Sequence, residues 1–243
     1  MPVFCFLLAG NATAATLSMK LAPELQSVAP QAVQGRKSGL WQAEIQFGDW
    51  QTTAPSPFDE QTWTWEAILP ESRANEALRV DVRHLGFDFE LRSVDGSGPI
   101  YNQCMAQGRF AVHEEFRGRV TDETSVALPG YPRIDCKLAG PQPGQLSLRP
   151  DFLTQRDSGL ARFGARSWNV QSVNNLATQR SSFPLGRFGY EFREGGDVVA
   201  AVETAGNGRV WFHPDLKATE REELATVMTA LIYYSVLLEE QDS

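Results

Sequence analysis

Acidic residues and one histidine are the first candidates for chemistry in this sequence. Asp88 and Glu90 lie two residues apart, so they would share one face of a strand, as a pair of catalytic carboxylates can. His113 and Glu114 begin a pattern typical of zinc proteases, but Arg117 occupies the position of the second histidine. Both groups are explained more simply as polar side chains on solvent-facing strands.

Other catalytic and metal-binding patterns are absent from the sequence. His84, His113 and His213 are far apart, and no spacing links them to a common site. The sequence has no nucleophile elbow, no phosphate-binding glycine loop and no dinucleotide-binding fingerprint. Cys104 and Cys136, without a second cysteine or a histidine pair nearby, cannot supply four zinc ligands. We expect no catalytic residue, no metal and no cofactor, although a site assembled only by the fold stays open.

Tryptophan is the residue type that best suits ligand binding here. Trp41, Trp63 and Trp65 lie near the start of the folded region, and the last two share one face of their predicted strand. Exposed indole rings would stack on sugar rings or cover a lipid tail. The alternative is that these rings fill the core against the carboxyl-terminal helix. They are the candidate ligand-binding residues.

Composition and charge narrow the class of protein. The 243 residues are 42% hydrophobic and 21% charged, which is ordinary for a globular protein and excludes a disordered chain. The formal net charge of −8 opposes nonspecific attraction to nucleic acid, so we expect no nucleic-acid partner. A lipid or a glycan stays open as a ligand.

The first residues and the cysteines bear on localisation. An apolar run, Val3 to Ala9, precedes the triplet Ala12-Thr13-Ala14, which predicts a signal peptide over residues 1–14, although no basic residue precedes the run. The mature chain would then keep Cys104 and Cys136, an even pair that predicts a disulfide in a periplasmic or secreted protein. The alternative is a cytoplasmic protein with unpaired, buried cysteines.

Short alternating segments predict an antiparallel β protein. Residues 15–39 are rich in Pro, Gln and Ala and predict an extended leader, so residues 40–243 form a single β-rich domain. Turn residues separate the strands, whose number, about a dozen, favours a β-barrel or a sandwich. The predicted strands are residues 40–47, 62–69, 77–84, 87–94, 109–116, 133–138, 145–149, 167–173, 187–193, 197–203 and 208–213.

A helix over residues 220–239 ends the domain. Thr219 and Glu222 have the spacing of a capping box, which predicts where the helix begins. The stretch from Leu224 to Leu238 is apolar nearly all round, so the helix must be surrounded by other elements. Its apolar part is too short for a bilayer, so we expect a buried helix and no transmembrane span.

The last strands and this helix resemble the tubby-like barrel, the fold of tubby, LURP-one-related and phospholipid scramblase proteins. The stretches that carry the resemblance are Ser167 to Val170, Gly189 to Phe192, Val198 to Val202 and Arg209 to Phe212, followed by Leu224 to Leu238. The resemblance implies a barrel closed around the helix. It implies no site residue, because neither a basic phosphoinositide-binding cluster nor an acidic calcium-binding segment is present.

Three functions follow from these observations. The first is a non-enzymatic exported protein of the bacterial envelope with a structural or ligand-binding role. The second is an envelope hydrolase whose acidic residues and histidine meet only in the fold, and the third is a cytosolic tubby-like scaffold or lipid-binding protein. A cleft lined with exposed Trp would favour the first function, and a cleft holding an acid beside a histidine would favour the second.

Overall fold

The computed structural model describes residues 18–36, 39–67, 76–94, 98–117, 120–127, 132–151, 156–178 and 187–241. The predicted signal peptide lies outside these residues. The strands are β1 (Gln31–Ala32), β2 (Gln46–Phe47), β3 (Trp50–Thr52), β4 (Ser56–Ala67), β5 (Glu76–Ser93), β6 (Ile100–Arg117), β7 (Val120–Ala127), β8 (Arg133–Leu138), β9 (Gly144–Asp151), β10 (Arg156–Phe163), β11 (Arg166–Val173), β12 (Gly189–Glu194), β13 (Asp197–Glu203) and β14 (Arg209–Phe212). The helix is α1 (Ala218–Gln241).

These strands form one antiparallel sheet that curves into a nearly closed barrel. Twelve of the 14 strands follow the order β1-β14-β13-β12-β11-β10-β9-β8-β6-β5-β3-β2. The two ends of this path meet, because the N–H of Gln34 donates to the carbonyl of Gln46 at 2.9 Å and the reverse bond measures 3.2 Å. The prediction of a mostly β protein is confirmed, and of the two predicted architectures it is the barrel.

The remaining two strands extend part of the sheet beyond the barrel. Strand β4 pairs with β5, and β7 pairs with the last eight residues of β6. The predicted break between residues 84 and 87 is wrong, because β5 is continuous through Gly86. At that position a side chain would collide with a neighbouring ring, since a Cβ on Gly86 would lie 2.6 Å from Phe58 Cε2. Gly86 therefore marks close packing within the sheet and does not form a turn.

Helix α1 occupies the interior of the barrel, as predicted. All residues from Glu223 to Leu237 are buried. The ring of Tyr233 packs at 6.2 and 5.4 Å from those of Phe87 and Phe89, and its hydroxyl donates to the carbonyl of Ala43 at 2.8 Å. Within the described residues, no helix combines the length and apolar character that crossing a bilayer requires.

The helix begins two residues earlier than predicted. It starts at Ala218, and the backbone N–H of Lys217 donates to the Glu220 carboxylate at 2.8 Å. The predicted capping pair of Thr219 and Glu222 is therefore wrong. Lys217 has no side-chain acceptor for a cap, so its residue type gives no sign that the helix starts there.

Residues 18–36 pack on the barrel, although the sequence suggests an extended leader. Met19 and Leu25 are buried against Ala201 and Trp211 on the outside of the barrel, and β1 adds to the edge of β14. Because this segment needs only a few apolar residues to cover the barrel surface, its sequence shows no periodic spacing of apolar residues. Strands β1, β3, β7 and β10 also fall outside the predicted set, because they are very short or poor in apolar residues.

The predicted disulfide is present. Cys104 on β6 and Cys136 on β8 face each other in register and are bonded, and both are buried. The bond therefore joins two neighbouring strands on the inner surface of the barrel wall.

Candidate ligand-binding site at the barrel mouth

The barrel mouth, which is the end of the barrel where helix α1 terminates, contains a cleft of about 490 Å³. Its lining combines one aromatic ring, two leucine side chains and polar side chains from β4 and β5. Its lining residues are Trp41, Glu60, Thr62, Arg83, His84, Leu85 and Leu237.

Trp41 supplies the aromatic ring of the lining and is held by a short, anchored turn. It is the middle residue of a 3-10 helix, Leu40–Gln42, which begins after Gly39 with a φ of 83°. Leu40 is fully buried, and the carbonyl of Ala43 accepts the hydrogen bond from Tyr233. The turn that carries Trp41 is therefore anchored to the central helix, while Trp41 itself remains 38% exposed.

The polar side chains of the lining come from β4 and β5. Glu60 lies opposite Leu85 in register, and Thr62 lies opposite Arg83. The guanidinium of Arg83 lies 3.7 Å from the Asp81 carboxylate and 5.1 Å from the centre of the Phe110 ring. These contacts hold the Arg83 cation in place beside the cleft.

The histidine at this cleft does not form a pair with the acid. His84 lies opposite Gln61, and successive residues of a strand alternate between faces, so Glu60 and His84 belong to opposite faces of the sheet. The His84 ring contacts Gln107 on its own face, and burial lowers its pKa, which favours the neutral imidazole. Glu60 and His84 therefore do not form a pair, and the acid whose charge acts on His84 is Asp59, which opposes the effect of burial on its pKa.

A buried carboxylate lies inside the barrel near the same end. Asp157 is 1% exposed, its Oδ2 atom lies 2.8 Å from Arg187 Nε, and Tyr190 donates a hydrogen bond to the same oxygen at 3.2 Å. Desolvation by burial raises the pKa of Asp157, and the cation of Arg187 opposes that rise. Because Asp157 is enclosed, we interpret this group as part of the barrel's internal support.

The three Trp residues predicted to bind a ligand are not all placed at the cleft. Trp41 lines the cleft, whereas Trp63 and Trp65 are placed in β4 opposite Val82 and Val80, and their side chains lie outside the described residues. Sequence reasoning missed Glu60, Thr62 and Arg83, because only the pairing of β4 with β5 places them beside Trp41.

Nothing among the family models, the curated proteins or the solved structures matches this chain. In the described ranges, no group of three or more His, Cys, Asp or Glu is arranged to hold a metal ion.

Proposed function

We propose that this protein is a non-enzymatic, ligand-binding protein of the bacterial envelope, with its ligand site in the cleft at the barrel mouth. The observation that carries the proposal is the exposed Trp41 on an anchored turn, which lines a cleft of about 490 Å³ together with Glu60 and Arg83. Concave sites with apolar and aromatic surface and a few fixed polar groups are typical of small-molecule binding. Glu60 and His84 lie on opposite faces of the sheet, which disfavours a hydrolase site built from these two residues.

The chemistry of the cleft favours a sugar ring as the ligand. The indole of Trp41 offers a flat apolar surface on which the apolar face of a sugar can stack. Glu60 accepts hydrogen bonds, Arg83 donates them, and Thr62 does both, as hydroxyl groups require. Leu85 and Leu237 add apolar surface to the lining, which favours burial of a stacked ring.

Binding of glucose, galactose and N-acetylglucosamine, followed by ligand-observed NMR, tests this site. We expect at least one of these sugars to bind, and Trp41→Ala to lower its association constant about tenfold through loss of the stacking surface. Gln42→Ala, at the exposed neighbouring residue, is the matched control and should leave binding unchanged. Failure of all three sugars to bind, or equal binding by the Trp41→Ala protein, would contradict the proposed site.

Export from the cytoplasm is the second part of the proposal. The Cys104–Cys136 bond supports it, because structural disulfides persist mainly in oxidising compartments. The signal-like residues 1–14 point in the same direction.

The intact mass of the protein expressed from its own gene, with and without reduction and thiol alkylation, tests export. We expect loss of residues 1–14 and two thiols that react only after reduction. A full-length chain with three freely alkylated thiols would contradict export and favour the cytosolic scaffold or lipid-binding alternative.

The proposed fold family is the tubby-like barrel. Support comes from the nearly closed sheet around α1 and from the position of the resembling stretches in β11 to β14. Because one fold serves many functions, this family would not by itself assign a ligand.

A further inference from the structure

A second concave surface crosses the outside of the barrel, on strands β5, β6, β8 and β9. It consists of two adjoining depressions of about 500 and 410 Å³. Both are lined by Gln103 and Lys137, so they form one continuous groove. We call it the outer groove.

A row of polar side chains runs along the outer groove, across the strands. Asp88 lies opposite Gln103, Gln103 lies opposite Lys137, and Lys137 lies opposite Gln145. Neighbouring strands are about 4.8 Å apart, so the four side chains span roughly 14 Å. The intervening residues Cys104, Cys136 and Leu146 are buried, so the row faces outward.

These four side chains are free to bind a ligand. Among the described residues, Asp88, Gln103, Lys137 and Gln145 make no side-chain hydrogen bond and no ion pair. Asp88 and Lys137 are separated by the intervening strand β6, which keeps the two opposite charges apart. Across the strands, the row therefore presents a carboxylate, an amide, a cation and a second amide.

Two exposed aromatic residues stand on opposite sides of this row. Tyr101 is 66% exposed and lies two residues before Gln103 on the same strand, so it shares its face. Phe58 is 46% exposed, and its ring lies over Gly86, two residues before Asp88. Exposed rings beside unengaged hydrogen-bonding groups are the combination that ring stacking on a sugar chain requires.

The floor of the outer groove is rigid. The Cys104–Cys136 disulfide bonds β6 to β8 directly beneath the groove, next to Gln103 and Lys137 in sequence. A fixed floor lowers the entropy lost when a ligand orders the side chains of a site.

We propose that the outer groove binds a neutral oligosaccharide chain that runs across the strands. This site is separate from the cleft at the barrel mouth, and neither proposal depends on the other. A peptide strand would need an unpaired sheet edge, whereas β5, β6, β8 and β9 are paired on both sides here. A lipid surface would need an apolar patch. A highly charged polymer of either sign would be repelled by the residue of like charge, Asp88 or Lys137.

Calorimetric titration of the full chain with cellohexaose, maltohexaose and chitohexaose tests this proposal. We expect at least one hexasaccharide to bind, and to bind more tightly than its disaccharide, because the groove spans four strands. Tyr101→Ala should weaken binding about tenfold, and Gln103→Ala roughly fivefold, through loss of stacking and of one hydrogen-bonding side chain.

Matched variants distinguish the outer groove from the rest of the protein surface. Tyr101→Phe keeps the ring and should retain binding, and Gln51→Ala, an exposed glutamine on β3 outside the groove, should have no effect. In the Trp41→Ala protein, whose barrel mouth no longer stacks a sugar, the hexasaccharide binding that depends on Tyr101 and Gln103 should persist. Thermal unfolding of each variant confirms that it is folded.

Two results would overturn the proposal. One is that none of the three hexasaccharides binds. The other is binding that survives Tyr101→Ala and Gln103→Ala, which would place the sugar elsewhere. If such binding were instead lost with Trp41→Ala, it would belong to the barrel mouth, so the two proposals can fail separately.

Discussion

Replacing Leu231 with alanine should lower the free energy of unfolding by about 4 kcal/mol. Leu231 is fully buried in the middle of α1, where the barrel wall surrounds the helix. Removing its branched end leaves a cavity that the closed barrel wall cannot collapse to fill. The loss therefore includes both the free energy of burying the removed methyl groups and the cost of the cavity. Urea unfolding monitored by circular dichroism measures the change.

Val126→Ala is the control for this prediction. Val126 is 63% exposed on β7, and its truncation should change the free energy of unfolding by less than about 0.5 kcal/mol. A Leu231→Ala protein as stable as the Val126→Ala protein would contradict the burial of the helix.

Removing the disulfide should have an effect of similar size. The double variant Cys104→Ala and Cys136→Ala should lose about 3–4 kcal/mol of stability, because the bond closes a loop between residues 32 apart in sequence. In the chain-entropy account, this loop restricts the unfolded state. Urea unfolding under oxidising conditions measures the loss.

Chemical reduction provides an internal comparison for the disulfide. Wild-type protein unfolded and refolded in reductant should have the stability of the double variant, apart from the small packing contribution of the two sulfur atoms. Equal stability of the double variant and the oxidised wild type would contradict a structural role for the bond.

The sequence was sufficient to predict those elements that depend on local patterns of residue types. Strand β13, Asp197–Glu203, matches its predicted bounds, because turn residues flank a run of β-branched and small apolar residues on both sides. Helix α1 was predictable as a surrounded helix, because its apolar residues occupy every face. The disulfide followed from counting the cysteines that a mature exported chain would retain.

Other elements depended on contacts between distant parts of the chain. Met19 and Leu25 gave no periodic signal in the sequence. Their burial depends on the barrel surface that residues 18–36 cover, and a segment outside the sheet and the helix has no regular spacing of apolar residues. Gly86 resembled a turn residue, and only the Phe58 ring beside it explains why the strand continues.

Both proposed sites belong to this second category. Trp41 could be selected as a residue type, but Glu60 and Arg83 join it only through the pairing of β4 with β5. Asp88 and Gln145 are 57 positions apart in the numbering, and only the registers of three strand pairs place them in one row.

The sequence by itself therefore determined the β class, the buried helix and the cysteine pair, because each depends on residue type and short-range spacing. The tertiary structure alone decided the closure of the barrel, the packing of residues 18–36 and the composition of both binding surfaces. The physical reason is that strand register, which selects the neighbours of each side chain, is set by pairing between segments distant in sequence.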